Sequence, residues 1–180
     1  MNWDAVGAVA EAVGALGVIL TLGFLALQIR ANTRATKTST FDSILAEMRA
    51  KQRGVFAANP ESMNVWIHGM HDVDALSPEQ KRMFAMLMSD DALYVENIIQ
   101  HYRSNNIDYA QLEPWLDYLS NILRTPGGHK WWSESAWAFN PVLQEVVNEH
   151  LLKTQGARTM LDNKYWAAEY ATDTSDQHPQ

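Results

Sequence analysis

AVGALGVILTLGFLAL, residues 12–27, contains no charged residue and no proline, and its reading decides the class of the whole chain. Crossing a hydrocarbon core takes ~20 residues at ~1.5 Å rise each, and residues 6–29 supply that length with Glu11 as the one ionisable interruption. The stretch predicts a single membrane-spanning helix. Ahead of it stand Trp3 and Asp4 with no Lys or Arg, and behind it come Arg30, Arg34 and Lys37. Positive charge marks the cytoplasmic side, so the N-terminus is expected outside, with Trp3 anchored at the outer headgroups, and the C-terminal bulk inside. A cleaved signal peptide requires a basic n-region, which this acidic N-terminus lacks. The competing reading is a core helix of a soluble domain, since a run near the lower length limit suits either.

Inside the span, spacing separates two faces. At about 100° per residue, Gly7, Glu11, Gly14, Thr21 and Gln28 fall within an arc of about 100°, with Val9, Val13, Leu16, Leu20 and Leu27 opposite. Small residues let helix backbones approach, and Ala10 with Gly14 forms a small-x-x-x-small pair, so homo-oligomerisation is expected. The plainer alternative is that Gly and Ala are common in membrane helices. Glu11 sits about one turn inside the outer edge, where snorkelling relieves most of the ~2.5–3.5 kcal/mol that a charge costs at the centre. In a closed ring of helices it would instead form an acidic ring at the outer mouth, with Gly14, Thr21 and Gln28 down the axis, an arrangement that favours cations. Glu11, Gly14, Thr21 and Gln28 are therefore the candidate site, as a helix–helix or a pore-facing stripe.

Charge and composition bound the rest. The 180 residues carry a net charge of −7, which excludes a basic nucleic-acid-binding surface; the basic residues behind the span answer to topology and anionic lipid. No cysteine is present, which excludes disulfides, thiolate zinc and a Cys nucleophile. The expected organisation is an anchor over 1–30, one cytosolic helical domain over 31–170 and a disordered polar tail over 171–180. The polar stretch 32–40 leaves two possibilities open, a helix that runs on or one that breaks. From Phe41, the positions Ile44, Leu45, Met48, Val55 and Phe56 recur at helical spacing, and Glu47, Arg49, Lys51 and Arg53 form the solvated face. That helix should stop before Asn59-Pro60.

Farther on, residues 61–70 predict a short helix and 71–76 a loop. Ser77-Pro78-Glu79-Gln80 combines an N-cap, a proline at the first helical position and Gln three residues after the cap, opening a long helix to about Arg103. Residues 109–123 predict another helix, terminated at Thr125-Pro126-Gly127-Gly128. A short aromatic segment over 129–137 follows, then Asn140-Pro141 opens a helix through Leu152. A weak helix is expected over 161–170. No strand alternation is visible, so the class is all-α: one transmembrane helix followed by a bundle-like helical domain.

Two motifs carry a resemblance. Gln28-Ile29-Arg30-x-Asn32-Thr33 at the exit of the hydrophobic helix, paired with Thr125-Pro126-Gly127-Gly128-x-x-Trp131-Trp132, resembles a widespread group of uncharacterised bacterial small membrane proteins. The resemblance implies a bacterial inner-membrane protein with a helical cytosolic domain, and it brings no activity and no catalytic residue with it.

Candidate chemistry is thin. His68-Gly69-Met70-His71-Asp72 places two imidazoles three apart beside a carboxylate, but no spacing supplies further ligands, so no metal is expected. Gly127-Gly128-His129-Lys130 opens a helix and offers amides to an anion, yet lacks P-loop spacing; the plain reading is a helix stop and turn. Trp131, Trp132 and Trp137 suit either core burial or an interface. Asp90-Asp91 and Glu145 with Glu149 read as solvated faces, and no nucleophile elbow is present, so neither an enzyme nor a cofactor is expected. The expected role is a homo-oligomeric, membrane-anchored interaction or scaffold module with an unidentified protein partner; the alternative is a homo-oligomeric cation channel.

Overall fold

The computed structural model describes residues 3–57 and 59–166, with side chains for all of these except residues 3, 5, 9, 10, 12 and 56. The Trp3 anchor, the Ala10 half of the small-residue pair, Phe56 and the tail 171–180 thus lie outside what is described. Among the described residues there are six α-helices and no strand: α1 (Trp3–Gln52), α2 (Pro60–His71), α3 (Pro78–Arg103), α4 (Tyr109–Leu123), α5 (Pro126–Ser135) and α6 (Pro141–Lys153). The all-α class is as the sequence led us to expect, with one long apolar N-terminal helix ahead of a helical domain.

α1 runs unbroken for 50 residues, which resolves the question left open at residues 32–40. Its polar stretch stays helical because the hydroxyls are absorbed locally: Thr36 Oγ1 donates to the Asn32 carbonyl at 3.0 Å and Thr38 Oγ1 to the Arg34 carbonyl at 3.1 Å. A π-helical turn, Arg53–Ala57, follows it. By internal contacts the chain divides into two compact units after Asp42. Within residues 6–55, α1 contains an 18-residue window of mean hydropathy 2.2 with none of it buried, long and apolar enough to cross a membrane.

In the second unit, one device starts four of the helices. Proline takes the first position of α2, α3, α5 and α6, where its missing N–H costs nothing. The residue before it caps: Asn59 Oδ1 accepts from Glu61 N–H at 3.0 Å, Ser77 Oγ from Gln80 at 3.3 Å, Thr125 Oγ1 from Gly128 at 3.1 Å and Asn140 Oδ1 from Val142 at 2.9 Å. Gln80 completes a capping box, its Oε1 accepting from Ser77 N–H at 3.0 Å. Thr125-Pro126 therefore begins α5, whereas its sequence reads as a stop and turn; the two glycines sit inside the first helical turn. The expected weak helix over 161–170 is instead a 3-10 turn, Met160–Asp162, with bend and turn residues through Trp166, and 167–170 lie outside the described residues.

The core is made by the apolar stripes of these helices. Val65 and Met70 of α2, Phe84, Met88, Val95 and Ile98 of α3, Leu119 and Ile122 of α4, and Leu143 and Val147 of α6 are buried, and Ile44 and Met48 join them from the end of α1. Trp131 and Trp132 are buried as well, whereas Trp137 is 81% exposed, so only two of the three aromatic candidates are core.

Candidate functional site

Glu11, Gly14, Thr21 and Gln28 lie on one helix, α1, and all four are exposed. A methyl group added at Gly14 would meet nothing within 4 Å. Thr21 turns its hydroxyl back on its own helix, donating to the Gly17 carbonyl at 2.8 Å. The four residues are thus exposed positions on one side of an apolar helix, alongside Val18, Leu25 and Ile29.

A second cluster escapes the sequence reading, and it corrects two assignments. Lys51 and Asp91 are both expected on solvated faces, yet Asp91 is buried and Lys51 is partly buried, with side chains 3% and 13% exposed. Lys51 Nζ reaches Asp91 Oδ1 at 2.8 Å and the exposed Asp90 Oδ2 at 3.0 Å, and lies 5.9 Å from the centre of the Tyr94 ring. Tyr118 of α4 donates its hydroxyl to Asp91 Oδ1 at 3.4 Å, and Tyr94 donates to the Ile44 carbonyl at 2.6 Å. These bonds tie residues 44–51 of α1 to α3, and α3 in turn to α4. Burial pushes the Asp91 carboxyl above its ordinary range, the Lys51 ammonium opposing it; burial and the Asp91 charge together push the Tyr118 phenol up. Tyr94 is pushed up to about 12, by burial first and the Glu47 charge second. A signal was present in the sequence: Asp91 falls in step with Leu87, Tyr94 and Ile98, on the apolar stripe of α3.

The Thr-Pro-Gly-Gly motif is a packing device. A methyl group at Gly127 would lie 1.7 Å from the Gly69 carbonyl oxygen of α2, and one at Gly128 would lie 2.2 Å from the Ile122 oxygen. Thr125, wholly buried, donates to the Ile122 carbonyl at 2.7 Å while capping Gly128. Trp131 and Trp132 then pack on Phe139, with ring centroids 5.7 and 5.8 Å away, and Trp132 Nε1 donates to Asn148 Oδ1 at 3.0 Å. Lys130 pairs with Asp74 at 2.5 Å, which lowers the Asp74 carboxyl and raises the Lys130 ammonium through their hydrogen bond. Of the residues that suggested an anion cradle, Gly127, Gly128 and Lys130 are thus engaged in packing, capping and an ion pair.

At His68-Gly69-Met70-His71-Asp72, the Asp72 carboxylate accepts from Asp74 N–H at 2.9 Å, and a methyl group on Gly69 would strike the Phe84 ring at 2.2 Å. No cluster of three metal-binding side chains occurs among the described residues. A groove of 380 Å³ between α3, α4 and α6 has Ile99, Leu112, Leu116 and Val142 along it, and the buried His150 at its edge has Nε2 2.8 Å from Asp117 Oδ1. Glu149 is bound there to Lys153 at 2.7 Å on the exposed side of α6.

The chain matches no family model, no curated protein and no solved structure.

Proposed function

We propose that the chain is a single-pass inner-membrane protein, N-terminus outside and helical domain in the cytoplasm, that self-associates and serves as a membrane-anchored interaction module. The observation that carries this reading is the exposed apolar window of α1, in which Leu16, Ile19, Leu20, Leu22 and Phe24 are each 59–73% exposed. That much aliphatic surface is stable in hydrocarbon and unstable in water. The charge asymmetry across it supports the orientation, Arg30, Arg34 and Lys37 following the span and Asp4 preceding it. The resemblance carried by Gln28-Ile29-Arg30-x-Asn32-Thr33 supports a bacterial setting. An interaction role rather than catalysis is supported by how the domain uses its polar side chains: Asp91 with Lys51, Asp117 with His150 and Asp72 with the 72–74 turn all serve the fold.

The cation channel remains the second reading because Glu11, Gly14, Thr21 and Gln28 are exposed along one face of an apolar helix. The absence of cysteine gives a clean test. Single-cysteine variants Asp4→Cys and Glu113→Cys, probed with an impermeant maleimide in intact cells, are expected to label at 4 from outside and at 113 only after lysis. The reverse pattern overturns the orientation, and release of the protein by alkaline carbonate overturns the anchor. Native mass of the full chain in nanodiscs reads subunit number, and a monomer overturns self-association. Cation flux in vesicles that falls with Glu11→Ala would replace the module with the channel.

A further inference from the structure

Because α1 is one unbroken helix from Trp3 to Gln52, angular position in the span carries over into the residues beyond it. Between residues 30 and 41 the charged residues are Arg30, Arg34 and Lys37, and at about 100° per residue all three fall within an arc of about 60°. Leu16, Ile19, Leu20 and Leu27, each about 60–70% exposed, occupy the same side of the helix. On the other side, Glu11, Gly14, Thr21 and Gln28 lead into the uncharged Asn32, Ala35, Thr36 and Ser39. One long face is thus aliphatic and then basic, and the opposite face gathers the small and polar groups, with Val18, Leu25 and Ile29 among them.

We infer that Arg30, Arg34 and Lys37 form a binding stripe for the headgroups of anionic phospholipids, on the face of α1 whose aliphatic half contacts the acyl chains of those same lipids. The inference rests on the transmembrane reading of α1 and adds a ligand class and a face to it. Arg30 to Lys37 spans ~10 Å of helix axis, which the headgroup layer and the reach of long basic side chains cover. Arg30 and Arg34 are exposed and Lys37 is half-buried, so the two arginines lead the stripe. Charge complementarity selects the ligand: residues 1–42 hold three basic and three acidic groups, and residues 43–180 hold eleven against eighteen. An acidic domain is repelled by an anionic leaflet, so attraction concentrates on the stripe. Each basic group near such a surface strengthens association about fivefold.

The test uses the full chain in phosphatidylcholine vesicles with spin-labelled phosphatidylglycerol and spin-labelled phosphatidylcholine as probes of the lipid shell. Wild type is expected to prefer phosphatidylglycerol by about fivefold or more. Two paired exchanges, Asn32→Arg with Arg34→Asn and Lys37→Ser with Ser39→Lys, keep the composition but move two charges to the opposite face; they are expected to lower the preference severalfold. Equal retention of the two lipids by wild type overturns the inference, and an undiminished preference in the exchanged variant overturns the one-face assignment. Loss of preference on adding inorganic phosphate at matched ionic strength would assign the stripe to a free anion and overturn the lipid. A protein stripped from the vesicles by alkaline carbonate fails the transmembrane reading and this inference together, whereas one that stays inserted without preference fails this inference alone.

Discussion

Threonines 21, 36 and 38 bond carbonyls four residues back on their own helix, whereas in the second unit, beside such local bonds, several polar side chains also reach across long stretches of chain. Lys51 pairs with Asp91 forty residues on, Lys130 with Asp74, Trp132 with Asn148 and His150 with Asp117. The difference is one of surroundings. An isolated helix offers a hydroxyl only its own backbone, and a bundle offers a neighbouring helix. It follows that substitutions in α1 up to Asp42 should leave the fold of the domain alone and act on what surrounds the helix, while comparable substitutions after residue 42 should act on stability.

The largest effect should come from Lys51→Met. It leaves Asp91 buried without its cation, a change of the kind that costs about 3–5 kcal/mol, and thermal unfolding of the full chain in detergent measures it. Adding Asp91→Leu should recover most of that loss, because replacing a whole buried pair with apolar groups is often close to neutral. The same pair has a pH signature. Burial raises the Asp91 carboxyl above its unfolded value of 3.8, so its contribution to stability is greatest below 3.8 and falls as pH rises through the raised folded value. Removing Lys51 raises that carboxyl further, so the deficit of Lys51→Met should shrink as the pH is lowered toward 3.8. A deficit independent of pH would mean that Lys51 acts through its packing alone.

Gly127→Ala comes next. Its methyl group would sit 1.7 Å from the Gly69 carbonyl oxygen, backbone against backbone, so α5 and α2 must separate. Overpacking of this kind costs about 1–3 kcal/mol, read as a lowered Tm. Gly14→Ala in α1 is the matched control, because nothing lies within 4 Å of its added carbon. An equal fall in both variants would break the contrast between the two units.

How much of this was legible depended on how local the physics is. Ser77-Pro78, Asn140-Pro141 and the apolar stripe of residues 109–123 placed three helices correctly, since caps, prolines and helical periodicity act within a few residues. Thr125-Pro126 carries the same start signal, but the two following glycines read as a break; what they accommodate, the Gly69 backbone, is distant in sequence. Asp91 read as solvated beside Asp90 for a similar reason, its cation standing forty residues upstream on a helix whose charged face looked uniform. In α1 the helix that carries Glu11, Gly14, Thr21 and Gln28 was legible because an apolar run of that length depends on local composition alone.

The smallest expected effect on the domain sharpens the comparison most, because it sets two threonines against each other. Thr125 is buried, donates to the Ile122 carbonyl and caps Gly128, so Thr125→Ala should cost about 0.5–2 kcal/mol through the lost cap. Thr21 also donates to a helix carbonyl, that of Gly17, but does so exposed, on a helix whose backbone is already bonded. Thr21→Val should therefore change domain stability by no more than about 0.5 kcal/mol. Its consequence should appear between chains instead. A hydroxyl on the small-residue face can bridge to a neighbouring helix, an interaction of about 0.6 kcal/mol in membranes, and the isosteric Val cannot. Energy transfer between labelled chains, titrated against lipid, should show a slightly weaker association for Thr21→Val and none of that weakening for Leu20→Val on the opposite face. Equal responses of the two variants would mean that self-association does not use the polar face, and the functional weight of α1 would shift to its contact with lipid.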